Sequence, residues 1–216
     1  MISAVPQTRR AAAVLALAWS LLGQAPAELA AAGQGVGRQT ARPNDRRARP
    51  APQPRPHGSR VVVDPARLLV NDGDTITIRW TRSDVETVRI LGIDAPETGD
   101  PNHDIPHPQP FGAEARSFAQ GAFAASRRVE LLRAATLDAY GRTLGYVFLD
   151  GRNFSVLIVE ARLAEESISR YGDNGFPAEA AAVAEAARKA GPLAFESPGA
   201  FRARMRRLAE WMREHP

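Results

Sequence analysis

The segment Asn71–Glu97 constrains the fold of this chain most, because two alternating, β-branched stretches within it each adjoin a short acidic turn. The first turn is Asp72–Thr75 (DGDT) and leads into Thr75–Thr81, and the second is Asp94–Glu97 (DAPE) and follows Val85–Ile93. Alternation with a period of two is typical of a strand with one buried face. We therefore predict two paired strands that fold the acidic turns toward each other.

Three carboxylates would then converge, those of Asp74, Asp94 and Glu97. An oxygen-rich site of this kind suits a hard cation such as Ca²⁺ better than a softer metal. Arg89 adds a planar guanidinium, which binds phosphate through two parallel hydrogen bonds. Because Arg89 and Asp94 are five residues apart, a regular strand would send them to opposite faces, so a bulge or an early strand end must bring them together. Together these groups suggest phosphodiester chemistry.

The remaining periodicities predict a β-rich α+β domain. Further strands are expected at Arg60–Pro65, Arg67–Asn71, Arg128–Ala134 and Thr143–Leu149, and helices at Phe111–Ala125, Ser155–Leu163, Ala178–Ala190 and Pro198–Glu214. This order fits a five-stranded β-barrel of the oligonucleotide/oligosaccharide-binding (OB) type, with three packed helices and an extra C-terminal helix.

Composition divides the chain into four parts. Residues 1–32 carry Arg9 and Arg10, an apolar run and small residues, as in an export signal; the alternative is an uncleaved N-terminal anchor. Residues 33–59 are rich in Pro, Arg, Gly and Gln, which favours a disordered linker. Either its arginines hold polyanions, or the segment is only a solvated spacer. Residues 60–196 form the barrel domain, and residues 197–216 form an amphipathic helix. We expect an exported monomer, periplasmic or secreted, without stable membrane association once the signal is removed; the alternative is N-terminal membrane anchoring.

Charge is unevenly distributed along the chain. The whole sequence carries +4, but residues 61–216 hold 19 basic and 22 acidic residues, a net charge of −3. The folded part is therefore not basic, so attraction of nucleic acid would have to come from local clusters, the N-terminal segment or bound cations. The absence of cysteine excludes disulfides and thiolate metal sites.

Four motifs occur in an order that resembles the staphylococcal nuclease (thermonuclease-like) family. They are Asp72–Thr75 (DGDT), Arg89–Glu97 (RILGIDAPE), Phe111–Ala115 (FGAEA) and Asp138–Arg142 (DAYGR). DGDT or YGR alone would be a weak signal, whereas all four in sequence are specific. The resemblance spans roughly residues 60–196.

The resemblance implies a calcium-dependent endonuclease that cleaves DNA or RNA by attack of water on phosphorus. By position, it implies Asp74, Asp94 and the backbone carbonyl of Ala95 as calcium ligands, Glu97 as general base, Arg89 and Arg142 as phosphate-binding residues, and Tyr140 near the substrate phosphates. The chain departs from the family at Ala139, where a basic residue is common, and at Ile168, where a second substrate-contacting tyrosine is expected; Tyr171 is nearby.

Structural alternatives exist for each group taken alone. The acidic turns could be plain turns, Arg89 could pair with Glu86 or Glu97, and Arg142 could pair with Asp138. The apolar stripe of the C-terminal helix, opposite Arg202, Arg206 and Arg213, is typical of core packing, with a partner groove or membrane face as alternatives. A non-catalytic nucleic-acid or protein-binding module on the same barrel is the alternative to an enzyme.

Overall fold

A computed structural model describes residues 50–215. The predicted export signal or anchor, and most of the predicted linker, lie outside these residues. The strands are β1 (Arg60–Val63), β2 (Leu68–Val70), β3 (Thr75–Arg79), β4 (Val85–Ile90), β5 (Ile93–Asp94), β6 (Val129–Leu137), β7 (Thr143–Leu149), β8 (Arg152–Asn153) and β9 (Glu165–Glu166). The α-helices are α1 (Gly112–Ala125), α2 (Phe154–Glu160), α3 (Ile168–Tyr171), α4 (Pro177–Ala190) and α5 (Pro198–Glu214).

The main sheet contains seven strands in the order β1-β6-β7-β4-β3-β2, with β8 paired to β7. Its ladders are antiparallel except for β4 and β7, which run parallel. Strands β5 and β9 form a separate two-stranded sheet. The mixed α+β class is thus confirmed. The described residues form nine strands rather than the five expected, and three of them, β5, β8 and β9, are only two residues long and show no alternation. Within residues 50–215 no ladder joins the edge strands β1 and β2.

One apolar core lies between the sheet and helices α1, α2 and α4. Phe123 of α1 and Phe154 of α2 are buried there, with ring centroids 5.1 Å apart. Helix α2 is capped by Asn153, whose side chain accepts a hydrogen bond from the Ser155 amide. The Ser155 hydroxyl donates to the carbonyl oxygen of Leu91 at 2.7 Å. This bond fixes the turn after β4 against α2.

Helix α5 packs apart from this core. Its buried residues Phe201 and Met205 cluster with Ile105, from the loop between β5 and α1. In the apolar stripe predicted for this helix (Phe201, Met205, Leu208, Trp211 and Met212), Trp211 and Met212 are 55% and 46% exposed. The stripe is therefore buried only in its N-terminal half. None of the helices in residues 50–215 is long and apolar enough to cross a membrane.

Residues 50–59, which the sequence placed in the disordered linker, pack on the sheet. The Gln53 amide donates to the carbonyl oxygen of Ala135, and the Leu137 amide donates to that of Ala51. The Gln53 side chain is buried and its Nε2 donates to Thr143 Oγ1 at 3.1 Å. Strand β6 extends beyond its pairing with β1, and this segment satisfies its free backbone groups. Composition missed this because the contacts are backbone bonds rather than apolar burial.

Candidate active site

The turn after β4 brings Arg89 and Asp94 together. Strand β4 ends at Ile90, the chain turns at Gly92 with a φ of 82°, and β5 then runs to Asp94. Glycine suits this turn because it adopts positive φ without strain. Arg89 Nη2 consequently lies 3.0 Å from Asp94 Oδ1. Either a bulge or an early strand end could bring Arg89 and Asp94 together, and the chain has the early strand end.

The two acidic turns touch each other. Asp74 Oδ1 lies 2.5 Å from Arg89 Nη1, and Asp74 Oδ2 accepts a hydrogen bond from the Ala95 amide at 2.6 Å. Gly73 permits this approach, since a Cβ at that position would lie 2.6 Å from the Ala95 Cβ. Ala95 thus contacts Asp74 through its backbone N–H, whereas the group implied as a calcium ligand is its carbonyl oxygen. Asp74, Asp94 and Ala95 are all buried.

Arg142 borders the same cleft through the parallel pairing of β4 and β7. Leu144 stands opposite Arg89 in the ladder, so Arg142, two residues earlier, extends the same face of the sheet. Its Nε lies 2.7 Å from Asp138 Oδ2, and its guanidinium carbon lies 5.5 Å from the Tyr140 ring centroid. No hydrogen bond or ion pair joins Arg142 to Asp74 or Glu97 in the described part of the chain. The pair of Arg142 with Asp138 is the structural alternative that the sequence offered for Arg142.

Tyr140 stands at the mouth of the cleft. Its side chain is 78% exposed, and its amide donates to Asp138 Oδ1 at 2.9 Å. The same carboxylate oxygen accepts from the Arg142 amide at 2.8 Å. Asp138 therefore shapes the turn that presents both Tyr140 and Arg142.

Arg202 of α5 enters the site, which the sequence did not predict. Its Nη1 and Nη2 lie 3.0 and 2.8 Å from Asp94 Oδ1 and Oδ2, and its Nη1 lies 2.6 Å from Glu97 Oε1. Arg170 also approaches, with Nη1 at 3.6 Å from Asp94 Oδ2. Helical spacing assigned Arg202 to the face opposite the apolar stripe, yet its side chain is only 25% exposed. No local pattern marks a contact across 108 residues.

These groups line one cleft of about 540 Å³. Its charged lining residues are Asp72, Asp74, Asp94, Glu97 and Asp138, together with Arg89, Arg142, Arg202 and Arg206. Opposite charges therefore nearly balance, which allows several carboxylates to share a buried space. The cleft also includes Tyr140 and Tyr171 at its border.

Burial and neighbouring charges shift several pKa values in the cleft. Burial raises the pKa of Asp72 to about 7, and the adjacent Asp74 adds to this increase. Burial also raises the pKa of Glu97, and the hydrogen bond from Arg202 only partly offsets the increase. Burial alone would lower the pKa of Arg202, but Asp94 and Glu97 outweigh it and raise that pKa. Arg202 is thus held in its charged form by the two carboxylates.

The donor set is chemically suited to a hard divalent cation. Asp74 and Asp94 supply carboxylate oxygens beside the backbone of Ala95, and such oxygen ligands are preferred by Ca²⁺. Among residues 50–215, no group of three or more His, Cys, Asp or Glu side chains lies in an arrangement that could hold a metal ion. A cation here would therefore depend on two carboxylates, main-chain oxygen and water.

Comparison with known proteins gives consistent matches over the central part of the chain. The family model described as "Staphylococcal nuclease homologue" matches residues 87–192. The thermonuclease of Staphylococcus intermedius is 41% identical over 102 residues, covering 47% of this chain and 55% of that protein. The SPbeta prophage-derived endonuclease YokF of Bacillus subtilis (strain 168) is 34% identical over 104 residues, covering 48% of this chain and 34% of that protein.

The thermonuclease of Staphylococcus hyicus matches similarly, at 35% identity over 104 residues, which cover 48% of this chain and 56% of that protein. The chain thus spans about half the length of the thermonucleases that it matches. Helix α5 and the DGDT turn lie outside the residues matched by the family model. The matches confirm the family indicated by the four motifs: residues 87–192 are a staphylococcal nuclease-like domain.

Proposed function

We propose that this protein is an endonuclease that hydrolyses phosphodiester bonds of DNA, RNA or both with the help of Ca²⁺, on a β-barrel of the OB type. The observation that carries the proposal is the single cleft shared by Asp74, Asp94, Glu97, Arg89 and Arg142. The thermonuclease and endonuclease relatives support the same reaction class. Asp74, Asp94 and the Ala95 carbonyl would hold the calcium ion, which would supply charge stabilisation to the phosphoryl oxygens.

The protein's own groups account for the rest of the chemistry. Glu97 would orient the attacking water and accept its proton, a role suited to a carboxylate whose pKa is raised by burial. Arg89 and Arg142 would bind the phosphate oxygens on which charge develops. Arg89 is already fixed by Asp74 and Asp94, whereas Arg142 would exchange Asp138 for the phosphate. Tyr140 would contact the neighbouring phosphates of the strand.

Hydrolysis assays on the full-length chain test this proposal. Supercoiled plasmid and a structured RNA are incubated with Ca²⁺ and, separately, with chelator, and product ends are mapped to separate internal from terminal cleavage. We expect internal cleavage that requires calcium. Arg89→Ala and Arg142→Ala should each lower kcat by about a hundredfold or more, because each removes a donor that stabilises the developing charge.

Arg188→Ala is a matched control, since Arg188 pairs with Glu185 on the exposed face of α4. Its rate should equal that of the unmodified chain. Unchanged rates for Arg89→Ala and Arg142→Ala would contradict the assigned roles. Nucleic-acid binding without hydrolysis under any condition would instead favour the non-catalytic binding module.

A further inference from the structure

The guanidinium of Arg202 lies on the proposed calcium ligand Asp94 and on the proposed general base Glu97. It contacts both oxygens of Asp94, at 3.0 and 2.8 Å, and one oxygen of Glu97 at 2.6 Å. A guanidinium in this forked geometry uses the in-plane lone pairs of the carboxylate. Asp94 is 1% exposed, so water reaches its carboxylate very little while Arg202 is in place. Arg89 Nη2 also lies 3.0 Å from Asp94 Oδ1, so a cation that coordinates Asp94 competes with Arg202 for the few remaining positions on its oxygens.

The helix that carries Arg202 is attached in a way that permits displacement. Its buried side chains Phe201 and Met205 pack with Ile105 in a small cluster separate from the main core. Two further contacts of the helix are ion pairs at exposed positions, Arg204 with Glu196 and Arg213 with Asp104. Exposed ion pairs contribute little to stability, and segments with few apolar contacts open locally more easily than the core. Few apolar contacts and exposed ion pairs therefore hold α5 against the domain, apart from the contacts of Arg202 itself.

Charge also separates α5 from the rest of the domain. Residues 198–214 contain five arginines and two glutamates, a net charge of +3, on a folded part that is otherwise acidic. Docking of α5 therefore supplies the cleft with positive charge in the absence of any divalent cation. A divalent cation carries twice the charge of a guanidinium and would compete for the same oxygens.

We propose that α5 is an autoinhibitory cover in which Arg202 substitutes for the cation on Asp94 and also pairs with the proposed general base Glu97. Calcium binding and α5 docking are then mutually exclusive: calcium displaces Arg202, and the docked helix lowers calcium affinity. This inference rests on the proposed calcium site. It predicts a protein that is closed at low calcium and opens as calcium rises, with the two equilibria coupled reciprocally.

Calcium titration of the full-length chain by isothermal calorimetry, without nucleic acid, tests the competition. We expect Arg202→Gln to bind calcium at least about tenfold more tightly than the unmodified chain, because the competing guanidinium is gone. Arg206→Gln is the matched charge control, since Arg206 lines the same cleft without contacting Asp94 or Glu97. If the direct contact of Arg202 with Asp94 lowers calcium affinity, rather than the electric field of a nearby positive charge, Arg206→Gln should change calcium affinity much less than Arg202→Gln.

A charge-neutral variant makes the test independent of electrostatics. Met205→Ala keeps Arg202 but weakens the apolar anchor of α5, so it should also tighten calcium binding, by several-fold. In the unmodified chain, hydrogen exchange of the α5 amides should accelerate when calcium is added. Circular dichroism melting of each variant confirms that the domain is folded.

The outcomes separate this inference from the proposed function. Calcium-dependent hydrolysis with unchanged or weaker calcium binding in Arg202→Gln and Met205→Ala overturns the cover and leaves the nuclease intact. Equal tightening by Arg202→Gln and Arg206→Gln, with none by Met205→Ala, also overturns it. Absence of calcium binding in every variant overturns both the cover and the calcium dependence of the nuclease.

Discussion

Single residues on opposite faces of strand β4 serve different purposes. Arg89 faces the cleft and joins the two acidic turns. Glu86 is buried on the other side with Arg133, whose Nε and Nη2 lie 2.8 and 2.9 Å from its two oxygens. Thr143 and Trp80 complete this second group with hydrogen bonds of 2.6 and 2.7 Å to Glu86. One strand thus carries a candidate catalytic arginine and a fully satisfied structural ion pair.

Removing Glu86 should destabilise the fold strongly. Both side chains of the Glu86–Arg133 pair are 3% exposed, so Glu86→Gln leaves a buried guanidinium without its counter-ion, at a cost of about 3–5 kcal/mol in the free energy of unfolding. Urea denaturation measures the change. Glu185→Gln, which breaks an exposed pair with Arg188, should leave the urea midpoint unchanged. Equal midpoints for both variants would contradict a structural role for the buried pair.

The same pair predicts an acid limb of stability. Burial alone would raise the pKa of Glu86, but hydrogen bonds from Arg133, Thr143 and Trp80 lower it overall below its ordinary value of 4.5. Because the folded-state pKa is the lower one, the stabilisation is present above pH 4.5 and is lost as pH falls through the folded-state pKa. Unfolding free energy measured between neutral pH and pH 3 should fall less steeply in Glu86→Gln than in the unmodified chain.

Gly73 sets how closely the acidic turns approach. A Cβ there would lie 2.6 Å from Ala95 Cβ and 3.0 Å from Ala115 Cβ, so Gly73→Ala must separate the turns and should destabilise the fold by about 1–3 kcal/mol. Hydrolysis should fall as well, since Asp74 would move relative to Asp94.

Gly121→Ala is the control: its Cβ would meet nothing within 4 Å in helix α1, and the substitution should leave stability unchanged or raise it. Thermal melts and activity assays of both variants decide the question.

At the scale of elements, the sheet and α5 should differ in local stability. Strands β6 and β7 are centrally paired and their inward side chains are buried, whereas α5 rests on a satellite cluster. Native-state hydrogen exchange without calcium should therefore show α5 amides opening at a lower free energy than those of β6 and β7. Protection of α5 equal to that of the central strands would contradict a separately opening helix.

At the scale of the whole molecule, charge is divided between the N-terminal segment and the domain. Residues 1–60 carry nine arginines and two acidic residues, a net charge of +7, against −3 for residues 61–216. If the arginines of the predicted linker hold polyanions, removal of residues 33–49 should reduce the slope of log affinity against log salt concentration for nucleic acid, by roughly one per lost phosphate contact. Equal slopes for the two chains would support the alternative of a solvated spacer.

Local sequence determined the secondary structure and the chemical type of the site. Period-two alternation predicted β3 and β4, helical spacing predicted α1 and α4 within about a residue, and the limits of α5 agree with Pro198–Glu214. These features follow from contacts within a few residues, which the sequence displays directly. The same holds for the acidic turns, because DGDT and DAPE carry their own turn residues.

Tertiary structure decided which groups meet. The pairing of Arg202 with Asp94 spans 108 residues, and the packing of Gln53 against Thr143 spans 90. Neither leaves a periodic trace, because each depends on how separate elements dock rather than on the spacing within one element. The sequence by itself therefore determined an acidic, arginine-bearing nuclease-like domain. Only the docking of α5 decided that Arg202 contacts the carboxylates of Asp94 and Glu97.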